Sequence, residues 1–243
     1  MKLSGNHLVI AAAIIISSTI LAFAYKYKFR STETIVVTGL AEKDFTSDQI
    51  VWKGSFNRYG MDLKQAYASL KSDEAEIRNY LKSKGIPDSN IVFSSVDVQK
   101  SFDTRYDAQG RATGTFFTGY TLSGEVTVNA KDIVLVENVS RQVTELLQRG
   151  IEFNSRKPDY YYTRLNELKI DLLAKASQDA RQRAETIAKN SGIGLGNLKK
   201  ASMGVFQITG KNNNEEYSYG GSFNTTSKEK TASITLRVEY LAD

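Results

Sequence analysis

An apolar run near the N-terminus constrains this chain more than any other feature. Residues Leu8 to Ala24 are all apolar apart from two serines and one threonine. As a helix, a run of this length extends about 25 Å, slightly less than the hydrocarbon core of a bilayer. The run therefore predicts one N-terminal hydrophobic helix, which divides the chain into a segment of residues 1–30 and a body of residues 31–243.

The same segment has features of a cleaved signal sequence and of a retained membrane anchor. Ala22-Phe23-Ala24 fits the small-x-small pattern of a signal peptidase site, which predicts cleavage near Ala24. However, the run is longer than the roughly 7–15 apolar residues of a signal peptide. Aromatic and basic residues also alternate from Tyr25 to Arg30, as they do at a membrane interface. We predict a retained anchor, with cleavage as the alternative. The predicted anchor residues are Leu8, Ile14, Ile15, Ile16, Ile20, Leu21, Phe23, Tyr25 and Lys26.

The charges on either side of the run bear on which side of the membrane the body occupies. Lys2 is the one basic side chain before the run, whereas Lys26, Lys28 and Arg30 follow it. The tendency of positive charge to stay inside would place the body in the cytoplasm. The signal-like layout of the leader favours export instead. We expect the body on the periplasmic face of a bacterial membrane, against the charge count, and leave open inner or outer membrane association.

The body lacks two residue types on which much enzyme chemistry depends. The chain has no cysteine, and its single histidine, His7, precedes the apolar run. Disulfides, thiolate zinc sites and thiol catalysis are therefore excluded, as is a nucleophile–histidine–acid triad in the body. A Ser-Lys dyad is left open only because serines and lysines are plentiful. We expect no catalytic residue and therefore no enzyme.

Charge and acidic residues point to no ligand. The net charge is +5, and its 32 basic residues are interspersed with 27 acidic ones, so no nucleic-acid surface is expected. Asp103 and Asp107 flank a turn but lack the ligand pattern of a calcium loop. Gly192, Gly194 and Gly196 follow a helical pattern, which predicts a helix end and not a phosphate-binding loop. We expect no metal, no cofactor and no specific small-molecule ligand.

Periodicity in the body predicts strands mixed with three amphipathic helices. The first helix begins after Asp62 and the second after Asp132. The buried stripe of the second helix is predicted to include Val143 and Leu147. The third is predicted from Pro158 to about Asn190, with a buried stripe rich in alanine that ends at Ile187. The predicted strands are 34–39, 49–59, 91–105, 116–129, 151–154, 198–209 and 231–241, and residues 210–227 are predicted to form a mobile hairpin loop. This order predicts an α+β fold with helices on one face of antiparallel sheets.

Clustered tyrosines are the candidate interface residues. Tyr160, Tyr161 and Tyr162 are consecutive and cannot all point into one core, so at least one is expected to be exposed. Exposed aromatic side chains are enriched at protein interfaces. Tyr217 and Tyr219 in the predicted loop are candidates for the same reason.

Several short motifs occur in a fixed order along the body, and their order is more specific than any one of them. They are Val36-Val37-Thr38-Gly39, Gly85-Ile86, Asn90-Ile91, Thr118-Gly119-Tyr120, Asp132-Ile133, Gly150-Ile151, Asp179-Ala180-Arg181, Ala184-Glu185 and the closing strand from Ile234 to Tyr240. Together they extend from Thr34 to Tyr240 and resemble the SIMPL domain family of bacterial envelope proteins.

The resemblance implies a two-lobed α+β fold exported to the periplasm or outer envelope, here with an inner lobe of about residues 111–190. It also implies a high-order homo-oligomer, ring or cage-like, and a link to oxidative stress resistance. The family has no agreed catalytic residues. With no cysteine and only Met61 and Met203 in the body, any antioxidant effect would be indirect. The long, tyrosine-rich segment 210–227 departs from the family pattern and puts any assembly contact there in doubt.

We therefore expect a non-enzymatic, membrane-tethered envelope protein that self-assembles and has a structural or stress-protective role. Two alternatives remain. One is a module at the membrane surface that binds a ligand or a partner protein. The other is an unrecognised hydrolase.

Overall fold

The computed structural model describes residues 5–30, 33–213, 215–216 and 218–242, with the backbone alone at residues 5–8 and 29–30. The expected α+β class and the N-terminal hydrophobic helix are confirmed. The helices are α1 (Gly5–Arg30), α2 (Leu63–Ser83), α3 (Ile133–Gln142) and α4 (Leu165–Asn190), with 3₁₀ turns at Asp88–Asn90 and Val143–Arg149. The strands are β1 (Thr34–Thr46), β2 (Gln49–Gly60), β3 (Ile91–Phe93), β4 (Asp97–Tyr106), β5 (Ala112–Ala130), β6 (Phe153–Ser155), β7 (Asp159–Tyr161), β8 (Leu195–Met203), β9 (Gln207–Gly210), β10 (Ser222–Phe223) and β11 (Glu229–Ala242).

The first sheet is built around the last strand of the chain. β11 pairs antiparallel with β1 along the whole of that strand, and its other side pairs antiparallel with β9 and then β8. β10 pairs in parallel with β9, so the prediction of antiparallel sheets is wrong at this one pair.

α4 packs against one face of the first sheet at very close range. Leu168 and Leu172 begin its buried stripe, and from there to the end of the helix the buried residues are alanines, including Ala176 and Ala180. A β-carbon on Gly39 of β1 would lie 2.2 Å from the Ala176 carbonyl oxygen and 2.7 Å from the Ala180 Cβ. The helix and the strand can therefore approach each other only because small residues face each other here.

The second sheet has β5 and β2 at its centre, paired antiparallel from Ile50–Ala130 to Gly60–Tyr120. β3 and β4 pair with the far side of β5, and β6 and β7 pair with the far side of β2. α2 and α3 cover one face, where alternate residues such as Trp52 and Leu122 are fully buried. Both helices begin at a capping aspartate: Asp62 and Asp132 each accept a hydrogen bond from the backbone N–H three residues later.

Two predicted strands are each interrupted by an extra residue. The strand predicted at 91–105 is divided into β3 and β4, because residues 94–96 lie opposite only residues 124 and 125 of β5. The strand predicted at 198–209 is divided into β8 and β9, because residues 204–206 lie opposite only residues 234 and 235 of β11. Such a bulge shifts the register by one residue and leaves no periodicity that sequence alone reveals.

Four other expectations for the helices and loops were wrong. The third helix begins at Leu165 and not near Pro158, because Asp159–Tyr161 pairs with β2 as strand β7. Leu146 is buried and Leu147 exposed, because the helix tightens from Val143 into a 3₁₀ turn with three residues per turn. Ala188 is buried at the end of α4, whereas Ile187 is exposed. The segment predicted as a hairpin loop contains strand β10 and the buried side chain of Asn224.

The two sheets have separate hydrophobic cores. The first sheet combines β1 with the residues from β8 to the end of β11, and the second combines β2 to β7. The inner lobe of about residues 111–190 stays a prediction. The chain crosses between the two sheets after β1 and again after β7.

Candidate interaction surface

α1 is apolar on all sides and does not pack against the body. Its residues from Val9 to Lys28 are long and apolar enough to cross a membrane, and none of this stretch is buried within the protein. The predicted anchor residues from Ile14 to Lys26 lie on this helix, with Phe23 70% exposed. Leu8 also lies in α1, but its side chain is outside the described residues. An anchor and a signal sequence share these properties.

Two hydroxyl groups in α1 are satisfied within the helix itself. Ser18 donates to the carbonyl oxygen of Ile14, and the hydroxyl of Thr19 donates to that of Ile15 at 2.5 Å. In lipid, a hydroxyl without a partner is costly, and a bond to the carbonyl four residues earlier removes that cost. Ser18 and Thr19 are therefore compatible with a membrane-spanning helix.

The tyrosine triplet joins the two cores. None of Tyr160, Tyr161 and Tyr162 is exposed, so the expectation that at least one would be is wrong. Tyr160 packs on the second core, and Tyr162 packs on the first, 4.9 Å from the ring of Phe45. Tyr162 follows the end of β7 at Tyr161, so strand alternation does not hold it on the same side as Tyr160, and the two rings pack on different cores.

Tyr160 also binds polar groups at this junction. Its hydroxyl donates to Glu137 at 2.9 Å, and its backbone N–H donates to the carbonyl oxygen of Thr225 at 2.7 Å. Burial and the neighbouring Glu137 carboxylate raise the pKa of the Tyr160 hydroxyl to about 12. The triplet is therefore a structural connection in this chain, and its role in an interface with another molecule stays a prediction.

Lys230 of β11 is the buried charge at the same junction. Its side chain is 2% exposed, and its ammonium group donates to the carbonyl oxygens of Tyr160 and Asn224, each at 2.6 Å. Burial lowers the pKa of Lys230 to about 8, although the charges of Asp159 and Glu215 oppose the shift. The lysine thus ties the segment before β11 to β7.

Of the two loop tyrosines, only Tyr219 can be placed. It is fully exposed beside an open groove of about 470 Å³ that is also lined by Leu40 and Val205. Tyr217 lies outside the described residues. Tyr219 therefore stays a candidate contact, supported by its exposure alone.

Outside α1, several aromatic side chains are exposed on a hairpin that sequence reasoning did not single out. β4 and the first half of β5 extend past the helices, and almost every side chain from Asp97 to Phe117 is exposed or partly exposed. We call this hairpin, residues 97–120, the β-arm. Its aromatic residues are Phe102, Tyr106, Phe116, Phe117 and Tyr120.

One face of the β-arm carries an apolar stripe that continues the second core. Tyr120 packs on that core, Phe117 contacts Tyr120 with ring centres 5.1 Å apart, and Phe102 contacts Phe117 at 5.9 Å. A bulge at Thr118 brings Phe117 onto the same face as Tyr120. Further out, Phe102 and Tyr106 are 60% and 65% exposed. The stripe therefore runs from a packed core into solvent without a cover.

The edge strands β1 and β4, one in each sheet, differ in how well they are protected. Asp179 of α4 accepts the backbone N–H of Leu40 on β1 at 2.8 Å, and Asp171 pairs with Lys43 at 2.9 Å, so α4 side chains occupy that edge. No helix side chain makes such a contact with the backbone of β4 among the described hydrogen bonds. An exposed, unprotected edge next to an apolar stripe is a site for pairing with another strand.

Acidic and basic groups elsewhere form ion pairs with each other. Arg181 pairs with Glu185 and Arg183 with Asp179, each at 2.8 Å. Asp73 is buried and accepts two hydrogen bonds from Arg58, at 2.5 and 2.8 Å, which hold α2 to β2. Within the part of the chain that the structure describes, no group of three histidine, cysteine or acidic side chains could hold a metal ion.

The length of the strands predicted at 91–105 and 116–129 was the signal in the sequence that could have revealed the β-arm, because strands within sheets usually have about 3–10 residues. In the structure β5 has 19 residues and extends past the rest of its sheet together with β4. Phe116 and Phe117 on β5, and Phe102 and Tyr106 on β4, lie in that part.

Comparison with known families matches this fold to one of them. The SIMPL family, described as a protein of unknown function (DUF541), matches residues 35–240, which is nearly the whole body. No curated protein sequence matches the chain. The match begins in β1 and ends in β11, so it includes both sheets and every helix after α1. The chain belongs to the SIMPL family.

Proposed function

We propose that this protein is a non-enzymatic, membrane-tethered envelope protein that self-assembles and has a structural or protective role. The single observation that carries the proposal is the β-arm, an apolar stripe continuous with a core and bordered by an unprotected strand edge. Aromatic side chains left exposed in this way favour contact with another apolar surface. A further copy of the chain supplies such a surface at high local concentration once the chain is tethered.

The N-terminal helix α1 supports the proposal, because a membrane tether would keep copies of the chain close to each other. Only residues 31–33 separate the end of α1 from β1. At about 3.5 Å per residue this link spans at most roughly 14 Å, so the first sheet stays close to the end of α1. Retention of α1 in a membrane would confine the copies to one surface and raise their effective concentration. We place that surface at the periplasmic face.

Removing the apolar stripe is expected to weaken self-association. In the double variant Phe102→Thr with Tyr106→Thr, two exposed aromatic side chains are lost while β propensity is kept. Loss of their burial at a contact costs about 2–4 kcal/mol, which raises the dissociation constant roughly 30- to 1,000-fold. The measurement is the absolute mass of the full-length protein in mild detergent, by light scattering after size exclusion.

Val92→Thr is the matched control, because Val92 is also an exposed apolar strand residue but lies away from the stripe. We expect the control to keep the mass of the unaltered protein. A monomeric unaltered protein over the whole accessible concentration range would refute the proposal. In that case the search should move to a bound ligand or partner, which is the leading alternative.

A further inference from the structure

The backbone of β4 has a free hydrogen-bonding edge. The carbonyl oxygen of Arg105 accepts the hydroxyl of Thr113 on β5 at 3.1 Å, whereas the N–H of Thr104 donates to Asp103 at 2.8 Å. Successive residues of a strand direct their backbone groups to opposite sides. The even-numbered residues of β4 therefore direct theirs away from β5, and no described strand pairs with them. One further strand can be added here.

The side chains of those even-numbered residues are arranged symmetrically. Val98, Phe102 and Tyr106 follow each other at intervals of four residues on the face of the apolar stripe, with Lys100 and Thr104 between them on the same face. The order Val–Phe–Tyr places a large ring at the centre and an apolar residue at each end. An antiparallel copy of the same strand, centred on the same residue, would align all three.

We propose that two copies of this chain pair antiparallel through β4, about a twofold axis that passes beside Phe102. The inference rests on the proposed self-association and names one of its contacts. It joins two six-stranded sheets edge to edge and places the two apolar stripes side by side on one face of the joined sheet. The opposed residues in this register are Val98–Tyr106, Gln99–Arg105, Lys100–Thr104, Ser101–Asp103 and Phe102–Phe102.

Charge disfavours two of the neighbouring registers. An axis at Lys100 would place two ammonium groups opposite each other, and an axis at Asp103 would do the same with two carboxylates. An axis at Ser101 opposes no like charges but places each Phe102 opposite a Lys100, so it is the competing register. The axis at Phe102 instead opposes apolar residues with apolar residues, and its one like-charged pair, Asp97 with Asp107, lies at the end of β4, where Asp107 follows the strand. The contact between Asp103 and the N–H of Thr104 opens in the pair, and Asp103 then lies opposite Ser101 of the second copy.

A twofold contact of this kind closes on itself and gives a dimer. A larger ring or cage therefore needs a second, different surface as well. Tyr219 beside its groove is the candidate for that surface among the described residues.

Paired cysteines test the register, since the native chain has none of its own. Lys100→Cys and Thr104→Cys variants of the full-length protein, carrying different tags, are co-expressed and oxidised mildly in detergent. Opposed residues in an antiparallel pair have Cα atoms about 4.5–5.5 Å apart, within the range that a disulfide bridges. We expect a disulfide-linked dimer that carries both tags, at least tenfold more abundant than any dimer formed by either variant alone.

Ser101→Cys in both copies is the control, because it forms a disulfide only if the axis lies at Ser101. The mass of each sample is measured alongside by light scattering. A large mass without the mixed disulfide overturns this register, and so does a large mass with efficient Ser101→Cys linkage. Either result leaves the proposed self-association standing. A monomeric mass overturns both, and binding of that monomer to anionic lipid vesicles through the β-arm would then assign the stripe to a membrane surface.

Discussion

Replacing Gly39 with alanine is expected to lower the free energy of unfolding by about 3 kcal/mol or more, at the upper end of what over-packing a core costs. The added Cβ would lie 2.2 Å from the carbonyl oxygen of Ala176 and 2.7 Å from the Ala180 Cβ. The nearest atom belongs to the α4 backbone and cannot rotate away, so the whole helix must move off the sheet. Urea denaturation followed by far-ultraviolet circular dichroism measures the change.

Gly220→Ala is the matched control for this experiment. Around Gly220 the nearest atom to an added Cβ is the hydroxyl oxygen of Ser218 at 4.0 Å, which is ordinary contact. We expect the control to change the free energy of unfolding by less than about 0.5 kcal/mol, as a surface substitution does. If Gly39→Ala were equally mild, α4 would not be packed as closely on β1 as the geometry indicates.

The stability of the protein is expected to rise between about pH 8 and pH 10.5 through Lys230. Its pKa in the folded protein is about 8, below the usual 10.5, because the side chain is buried. In this pH range the folded state has released a proton that the unfolded state still holds. Stability therefore increases with pH here, by about 3 kcal/mol in total if Lys230 acts alone. Below pH 8 the lysine is charged in both states and contributes no pH dependence.

A Lys230→Met variant isolates this effect from the titration of other groups. Methionine has a similar length and does not titrate, so the difference in unfolding free energy between native and variant protein should grow from pH 7.5 to pH 10.5. The variant also removes the donor to the carbonyl oxygens of Tyr160 and Asn224, at a cost of about 1–3 kcal/mol for each group left unpaired. The measurement is urea denaturation at a series of pH values. A constant difference across the series would mean that Lys230 keeps an ordinary pKa.

The fold class followed from local patterns, because local patterns determine single elements. Asp62 and Asp132 predicted the starts of α2 and α3, and the alanines of the third helix predicted close packing on a sheet. The placement of the tyrosine triplet, Tyr160 to Tyr162, was harder to predict. Nothing local shows that Asp159–Tyr161 adds to β2, since the energy of that pairing comes from a strand more than 100 residues earlier.

The candidate surface was also only partly predictable. The anchor residues from Ile14 to Lys26 were identified because a long apolar run has one simple physical use. The β-arm was missed, because the strands predicted at 91–105 and 116–129 were expected to lie within the sheet. Their length indicates only that they extend past it, whereas the exposure of Phe102 depends on where the helices end, outside residues 97–120.

Sequence by itself determined that this chain has an apolar N-terminal helix, an α+β body and no cysteine or histidine in that body, because each depends on composition or on periodicity over a few turns. Only the tertiary structure decided which tyrosines are buried, where Lys230 lies and that the β-arm extends past its sheet. Those properties depend on distant segments meeting, through bulges and edges that shift the register by a single residue.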